Sequence, residues 1–136
     1  MKIEIACKTK KRIEKSFVEK VVRKTLAASE NKAVAFSVSI VFADEEKIRE
    51  INRKYRKIDK ATDVLSFDYS LRYNKGRIVQ GEIILCPGII EKSAKENKAS
   101  FKKELAFVLS HGVLHILGYR HGRKMYGIQD QISTNY

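Results

Sequence analysis

The hydrophobic residues in the first half of the chain follow two periods in turn. Residues 2–7 alternate isoleucine with polar side chains, which is the two-residue period of a half-buried strand. Residues 12–29 place apolar side chains three and four positions apart, which predicts an amphipathic helix. Residues 34–42 are rich in valine, isoleucine and phenylalanine and predict a second strand. Asp44 then suits the N-cap of a second helix, so the predicted order begins strand, helix, strand, helix.

The second half predicts a pair of strands followed by a pair of helices. Residues 64–69 and 77–86 have the composition of strands, and the polar stretch 72–76 between them suits a turn. We therefore expect these two strands to pair in antiparallel fashion. Helices are expected over residues 89–97 and 100–117.

These elements predict one α+β domain. A chain of 136 residues is long enough for one domain with its own core, whereas two domains would each be marginal. We expect a single domain over residues 1–136, in which a small mixed sheet packs with helices. Residues 122–136 are expected to be a short tail that is frayed or disordered.

Composition and charge restrict the location and the partners. An apolar fraction of 43% and a charged fraction of 32% are typical of a soluble globular protein. The N-terminus lacks a hydrophobic signal region, so we expect the protein in the cytoplasm. The net charge of +12 favours RNA or DNA as a partner, although solvated lysine-rich faces explain it nearly as well, and a membrane surface or acidic protein stays open. Cys7 and Cys86 are expected to be small buried side chains.

All three histidines of the chain lie within residues 111–121. His111 and His115 are four positions apart on a predicted helix, so their rings leave the same face and can share one metal ion. Gly118 can adopt a positive φ and end the helix, which lets the chain turn His121 back towards the other two rings. The alternative is a set of core or surface histidines without metal, which this spacing disfavours. The sequence therefore predicts a metal site.

The predicted site has the composition of a catalytic zinc centre. Three neutral imidazoles leave the fourth tetrahedral position of Zn²⁺ open for water, whereas structural zinc sites use four protein ligands. Zinc peptidases of the His-Glu-x-x-His kind carry the glutamate that activates water directly after the first histidine. Gly112 occupies that position here, so the pattern favours a metal-dependent hydrolase of another class.

Three segments together resemble a known family. Residues 111–121, His-Gly-Val-Leu-His-Ile-Leu-Gly-Tyr-Arg-His, resemble the metal motif of the YbeY family of endoribonucleases, also called rRNA maturation factors. Residues 52–67 resemble the family's other signature, and residues 81–84, Gly-Glu-Ile-Ile, resemble a family strand that begins Gly-Asp. The order and spacing of these motifs match from about residue 40 to residue 121.

The resemblance implies a zinc-dependent endoribonuclease that is specific for single-stranded RNA. It makes His111, His115 and His121 the ligands of one Zn²⁺ per chain. It makes Arg56 a residue of catalysis or RNA binding, and as a catalytic residue it can bind a phosphate and stabilise developing charge. The alternative for Arg56 is a surface cation that closes a helix. The implied partners are ribosomal RNA and the small ribosomal subunit, with no DNA and no membrane. The implied roles are maturation of the 3′ end of the small-subunit RNA and ribosome quality control.

Three features depart from the family pattern. Arg120 stands where the family usually has aspartate before the third histidine, which removes a carboxylate that could support the metal ligands. Ala61 stands where proline is common, which mainly affects the rigidity of a turn. The chain after His121 lacks the family's acidic closing helix.

Two other functions stay open on the sequence alone. A zinc peptidase or another hydrolase could use the same three histidines, although Gly112 disfavours the peptidase. A non-catalytic RNA-binding factor of ribosome assembly, with a metal that only stabilises the fold, would also explain the charge and the motif. Loss of one ligand distinguishes these functions, because an enzyme loses cleavage whereas a structural metal site unfolds.

Overall fold

The computed structural model describes residues 1–30, 33–73 and 76–136. Within these residues the chain forms, in order, β1 (Lys2–Cys7), α1 (Lys15–Ala28), β2 (Ala33–Phe42), α2 (Glu45–Arg56), β3 (Val64–Asp68), β4 (Leu71–Tyr73), β5 (Gly76–Leu85), α3 (Pro87–Glu96), α4 (Phe101–Ile116) and α5 (Arg123–Ser133). The predicted α+β fold is confirmed as a single small domain built around a mixed sheet. In the described part of the chain, no helix combines the length and the apolar character that a membrane span requires.

The strands form one mixed sheet in the order β1-β2-β5-β3, with β4 also paired to β5. The pairs β1–β2 and β2–β5 are parallel, and both β3 and β4 run antiparallel to β5. Ile5 pairs with Ile40, and Ile40 pairs with Ile83, so apolar side chains of adjacent strands line up on one face. The predicted antiparallel pair is confirmed as β3 and β5. The turn predicted at residues 72–76 is partly taken by β4, and residues 74–75 lie outside the described residues.

The main core lies between one face of the sheet and the helices α1 and α4. Alternate residues of β2 and β5 point into it and are buried, namely Phe36, Val38, Ile40, Phe42, Val79, Ile83 and Leu85. Helix α4 is central, because it contacts α1, α3, α5, β3 and β5. Its Leu109, Val113 and Ile116 are fully buried. The core therefore fixes the position of the helix that carries His111 and His115.

Helix α2 packs against the opposite face of the sheet. Leu65 and Ile84 are register partners, and Ile48 of α2 joins them in a second buried cluster. Asp44 caps this helix as predicted, because its side chain accepts a hydrogen bond from the backbone N–H of Lys47 at 2.8 Å. After the last residue of α2, the chain returns through residues 57–63 to β3, the strand against which α4 also packs.

The close approach of α4 to the sheet depends on Gly81 of β5. A Cβ at this position would lie 2.5 Å from Cδ1 of Ile116 and 2.9 Å from its Cγ1. No side chain larger than hydrogen fits there unless Ile116 shifts. Gly81 therefore sets the distance between β5 and the C-terminal turn of α4.

Residues 122–136, which were expected to be a frayed or disordered tail, form the helix α5 instead. Met125 is fully buried and Ile132 is only 4% exposed, because α5 packs against α1 and α4. The ring of Tyr136 meets the ring of Phe17 edge-on at 4.9 Å. Tertiary packing of an apolar stripe stabilises a helix that its own residues would leave marginal.

Two smaller differences concern α3 and Cys7. Helix α3 begins at Pro87 rather than at residue 89, because the fixed φ of proline suits the first turn and its missing N–H is not needed there. Cys86 is buried as expected. Cys7 is exposed at the end of the edge strand β1, so its predicted burial is wrong.

Candidate metal centre

Two of the three histidines lie on the last turns of α4. The helix begins as predicted at Ser100, whose Oγ accepts a hydrogen bond from the backbone N–H of Lys103 at 3.0 Å. His111 and His115 follow at helical spacing, and both side chains are half-buried. The predicted placement of both rings on one face of one helix is confirmed, since the ring centroids are 4.4 Å apart.

A Schellman motif at Gly118 ends α4 and redirects the chain. The N–H of Gly118 donates to the carbonyl of His115 at 3.0 Å, and the N–H of Tyr119 donates to the carbonyl of Leu114 at 2.9 Å. Gly118 has a φ of 95°, in the left-handed region that favours glycine. The turn brings the ring of His121 back to 4.8 Å from that of His115, as the sequence predicted.

Arg77 of β5 fixes the same end of the helix. Its guanidinium donates to the carbonyls of Leu117 at 2.8 Å and Ile116 at 3.2 Å, and it pairs with Asp68 at 2.9 Å. A cation is favoured there because the helix dipole concentrates negative partial charge at the C-terminus. A Cβ on Gly118 would lie 2.8 Å from Nη1 of Arg77, so this glycine serves both the turn and the capping contact.

The three imidazole rings converge on one point. Nε2 of His111 and Nε2 of His115 are 3.0 Å apart, and the possible ligand atoms of all three histidines lie within 4.8 Å of one another. Zinc–nitrogen bonds of about 2.0–2.1 Å in tetrahedral geometry place two ligand nitrogens roughly 3.3 Å apart. The cluster therefore fits a single ion of this size, which His111, His115 and His121 could bind.

Burial and mutual repulsion keep the rings of His111 and His115 uncharged at neutral pH. Burial lowers the pKa of His111 from its ordinary value of 6.5, and the charges that His115 and His121 would carry lower it further. Burial also lowers the pKa of His115, followed by the effect of His121. Since a metal ion needs the free lone pair of a neutral imidazole, these two rings are in the required protonation state near pH 7.

Arg56 and Asp63 lie within electrostatic reach of these rings. The positive charge of Arg56 is one of the causes that lower the pKa of His115, and the charge of Asp63 acts in the opposite direction on His111. Arg56 is exposed at the end of α2. The backbone carbonyl of Asp63, just before β3, accepts a hydrogen bond from the N–H of Cys86 at 2.9 Å. The charge of Arg56 is thus the smallest of the causes that act on the pKa of His115.

Two contacts to the rings come from residues that the sequence analysis did not single out. Oη of Tyr126 lies 3.5 Å from Nδ1 of His121. Burial and His121 lower the pKa of His115, and a hydrogen bond with the backbone of Tyr119 opposes them in part. Tyr126 belongs to α5. The apolar residues of this segment recur at three- and four-residue spacing, which could have predicted the helix from the sequence.

Comparison with known proteins identifies the family. The family model described as Endoribonuclease YbeY matches residues 4–135. This chain belongs to the YbeY family. Endoribonuclease YbeY of Thermodesulfovibrio yellowstonii is 37% identical to it over 98% of this chain and 91% of the relative. Endoribonuclease YbeY of Buchnera aphidicola subsp. Schizaphis graminum is 36% identical over 90% of this chain and 76% of the relative.

A solved structure is similar to this member of the YbeY family. The solution structure of TM1509 from Thermotoga maritima aligns with a TM-score of 0.63 and 28% sequence identity, over 96% of this chain and 86% of that chain. The likeness extends over α5 as well as the histidine cluster, because almost the whole chain is aligned.

Membership of the YbeY family confirms the resemblance found in the motifs and the predicted enzyme class, a hydrolase that cleaves RNA. It disfavours the peptidase alternative. Gly112 agrees with this conclusion, because a Cβ there would lie 3.1 Å from Cγ2 of Ile83 and 3.5 Å from Cγ2 of Val64. The position that carries glutamate in the zinc peptidases faces the sheet in this YbeY protein.

Proposed function

We propose that this chain is a zinc-dependent endoribonuclease that cuts single-stranded RNA. His111, His115 and His121 bind one Zn²⁺, and Arg56 is the catalytic residue that engages the phosphate. The proposed substrate is the 3′ end of the small-subunit ribosomal RNA on the small subunit in the cytoplasm, with a further role in ribosome quality control. The observation that carries the proposal is the convergence of three histidines within 4.8 Å in a member of an endoribonuclease family. The ribosomal substrate rests on the resemblance of the motifs.

The donor set supports zinc. Imidazole nitrogen suits zinc and its transition-metal neighbours, whereas magnesium and calcium require oxygen ligands. Among the described residues, the cluster that could bind a metal consists of the three histidines, two half-buried and one exposed. When bound, Zn²⁺ would supply a Lewis acid that activates water and polarises the phosphodiester. The chain contributes three imidazole rings whose positions are fixed by α4 and by the turn at Gly118.

Arg56 supplies positive charge from the C-terminal end of α2. Its effect on the pKa of His115 indicates that its charge acts across the cluster. A guanidinium can donate two parallel hydrogen bonds to one phosphate. Negative charge grows on the phosphate oxygens during hydrolysis, so a cation at this place stabilises the transition state more than the ground state.

The overall charge supports a nucleic acid substrate. Lysine and arginine number 28 against 16 aspartate and glutamate residues, which gives the net charge of +12. Such an excess attracts the RNA backbone and accelerates encounter at low ionic strength. The charge also accounts for affinity without base contacts, which is what a nuclease that acts on an exposed single strand requires.

The location of the cluster supports a catalytic rather than a structural metal. His121 is exposed and the other two rings are half-buried, whereas the main core consists of buried apolar residues. A fold that already buries such a core does not depend on a metal to form. The non-catalytic assembly factor with a structural metal is therefore the less favoured function.

Cleavage of a defined RNA by the His115→Ala variant tests the proposal. The substrate is a labelled single strand with the 3′-terminal sequence of small-subunit ribosomal RNA, offered alone and annealed to its complement. We expect the zinc-loaded protein to cut the single strand and spare the duplex. A chelator should stop cleavage and added Zn²⁺ should restore it. The variant should keep its far-ultraviolet circular dichroism and its RNA affinity but lose cleavage.

Two outcomes contradict the proposal. Cleavage by His115→Ala in metal-free buffer would exclude the histidine cluster as the catalytic site. Unfolding of the variant, with no cleavage by the zinc-loaded wild type, would favour the assembly factor with a structural metal.

A further inference from the structure

Gln129 is a buried polar side chain on α5 that the proposed mechanism leaves unused. It is fully buried, and its Nε2 donates to the carbonyl of Phe107 at 3.2 Å. Phe107 lies in α4 one turn before His111, so the amide of Gln129 sits beside the base of the metal cluster. Burying an amide costs free energy unless both its nitrogen and its oxygen are hydrogen-bonded. The oxygen of Gln129, Oε1, therefore needs a partner as well.

The carbonyl of Phe107 decides which way the amide faces. A carbonyl can only accept, so the nitrogen of Gln129 must point to it and the oxygen must point elsewhere. Oε1 is buried, and among the described residues it has no hydrogen-bond partner. The amide is anchored at Phe107, one helical turn before His111. Burial is the main cause that lowers the pKa of His111, and the side chain of Gln129 is a smaller cause that acts in the opposite direction, as an acceptor near a ring N–H does. The unused oxygen is therefore available to the ring of His111.

The ring of His111 has one nitrogen left for such a contact. Its Nε2 faces Nε2 of His115 at 3.0 Å, inside the cluster, which leaves Nδ1 on the outer side. The other two rings have outer contacts already, His115 with the backbone of Tyr119 and His121 with Oη of Tyr126. Histidines that bind metals nearly always donate their second ring N–H to such an outer acceptor.

We propose that Gln129 is a positioning residue for the metal centre: its Oε1 accepts a hydrogen bond from Nδ1–H of His111 and so fixes the tautomer that presents the Nε2 lone pair to the ion. This inference rests on the proposed metal-binding role of the cluster. It assigns a function to α5, because Gln129 and Tyr126 are on the same helix and reach two of the three rings. It also gives the site outer support although Arg120 replaces the usual aspartate.

Nitrogen-15 NMR of the metal-free protein at pH 7.5 tests the tautomer directly. We expect His111 of the wild type to carry its proton on Nδ1, as the hydrogen bond requires. The Gln129→Leu variant removes the acceptor at similar volume, so Nε2–H should become populated. The matched control is Gln131→Leu, the same substitution at an exposed position of α5, which should leave the wild-type signals of His111 unchanged. His111 with its proton on Nε2 in the wild type would overturn the inference, even if no variant folds.

Zinc affinity supplies the second readout. Gln129→Leu should weaken Zn²⁺ binding about 10- to 100-fold, the usual effect of losing an outer partner. Equal zinc affinity of Gln129→Leu and Gln131→Leu would reject the positioning role. These measurements do not involve RNA, so a protein that shows the predicted tautomer and affinities but cuts no RNA would contradict the proposed function and leave this inference standing.

Discussion

The protonation of three imidazoles decides what the histidine cluster can bind. The pKa values of His111 and His115 are lowered mainly by burial, so both rings are neutral at pH 7 in the folded chain. In the unfolded chain the same rings have pKa values near 6.5 and take up protons earlier as the pH falls. The unfolded state therefore binds more protons just below pH 6.5, and acid favours unfolding.

The lowered pKa values of His111 and His115 predict how the stability of the metal-free protein changes in acid. Its free energy of unfolding should be constant above about pH 7 and fall as the pH drops from 6.5 through the lowered pKa values, because the rings must be protonated in a buried cluster. Urea denaturation between pH 5 and pH 8 measures this. A double variant, His111→Gln with His115→Gln, should lose part of the dependence; a curve identical to that of the wild type would show that the cluster does not cause it.

The proposed catalytic role of Arg56 predicts a large effect of its substitution on kcat. Arg56→Ala should lower kcat about 10²- to 10³-fold, the usual effect of removing one group that stabilises developing charge. Arg56→Lys should recover only part of the loss, since an ammonium cannot donate to a phosphate bidentately. Arg53→Ala, another exposed arginine in the last turn of the same helix, is the matched control and should keep kcat. Equal kcat values for the two alanine variants would remove Arg56 from the catalytic machinery.

The convergence of the three histidines could be predicted from the sequence, and the contacts around them could not. His111, His115 and Gly118 are close in sequence, so helix geometry and one turn suffice to bring His121 to the other two rings. Gln129 belongs to a different helix, and its hydrogen bond to the carbonyl of Phe107 exists only because α5 packs against α4. Local spacing contains no information on which face of a later helix will meet an earlier one.

At the scale of elements, the site depends on how α4 sits against β5. Gly81 leaves no room for a Cβ beside Ile116, and Arg77 of the same strand caps the end of α4. A shift of this helix would move His111 and His115 together relative to Arg56, which is carried by α2 on the other face of the sheet. β5 therefore fixes the position of the helix that carries His111 and His115.

Substitution of Gly81 tests this dependence. Gly81→Ala should lower the free energy of unfolding by about 1–3 kcal/mol, because the added methyl overpacks the contact with Ile116. It should also weaken zinc binding, since the last turn of α4 carries His115. Chemical denaturation and a zinc titration measure the two effects.

The matched control for this substitution is Gly127→Ala in α5. A Cβ at residue 127 meets nothing within 4 Å, and the position is inside a helix. Alanine should therefore raise the free energy of unfolding by roughly 0.5–1 kcal/mol. If Gly81→Ala were as stable as the wild type, the close approach of α4 to β5 would not limit the fold.

Elements with a strong period were predicted, and elements that depend on partners were not. β1, β2, α1 and α4 follow from alternation or from three- and four-residue spacing within one segment. β4 has only three residues. It forms because β5 is longer than β3, so that residues 76–78 of β5 can pair with β4. α5 contains Gly127 and a mostly polar sequence, so its stability comes from burying Met125 and Ile132.

The charge of the whole molecule predicts how RNA binding responds to salt. With a net charge of +12, binding of single-stranded RNA should weaken steeply as counterions compete for the phosphates. A plot of log affinity against log salt should have a slope of about −2 to −4, equivalent to roughly three to six phosphate contacts at −0.7 each. Fluorescence anisotropy with the His115→Ala variant measures binding without cleavage. A slope near zero would mean that the lysine-rich surface is only a solvated face.

Metal content per chain tests the central claim most directly. Elemental mass spectrometry on gently purified wild-type protein, beside His115→Ala prepared in the same way, counts the ions that the cluster retains. We expect about one zinc per wild-type chain and a large loss in the variant, because three neutral imidazoles are needed to retain the ion. Equal zinc in both proteins, or none in the wild type after zinc is supplied, would contradict the assignment of His111, His115 and His121 as the metal ligands.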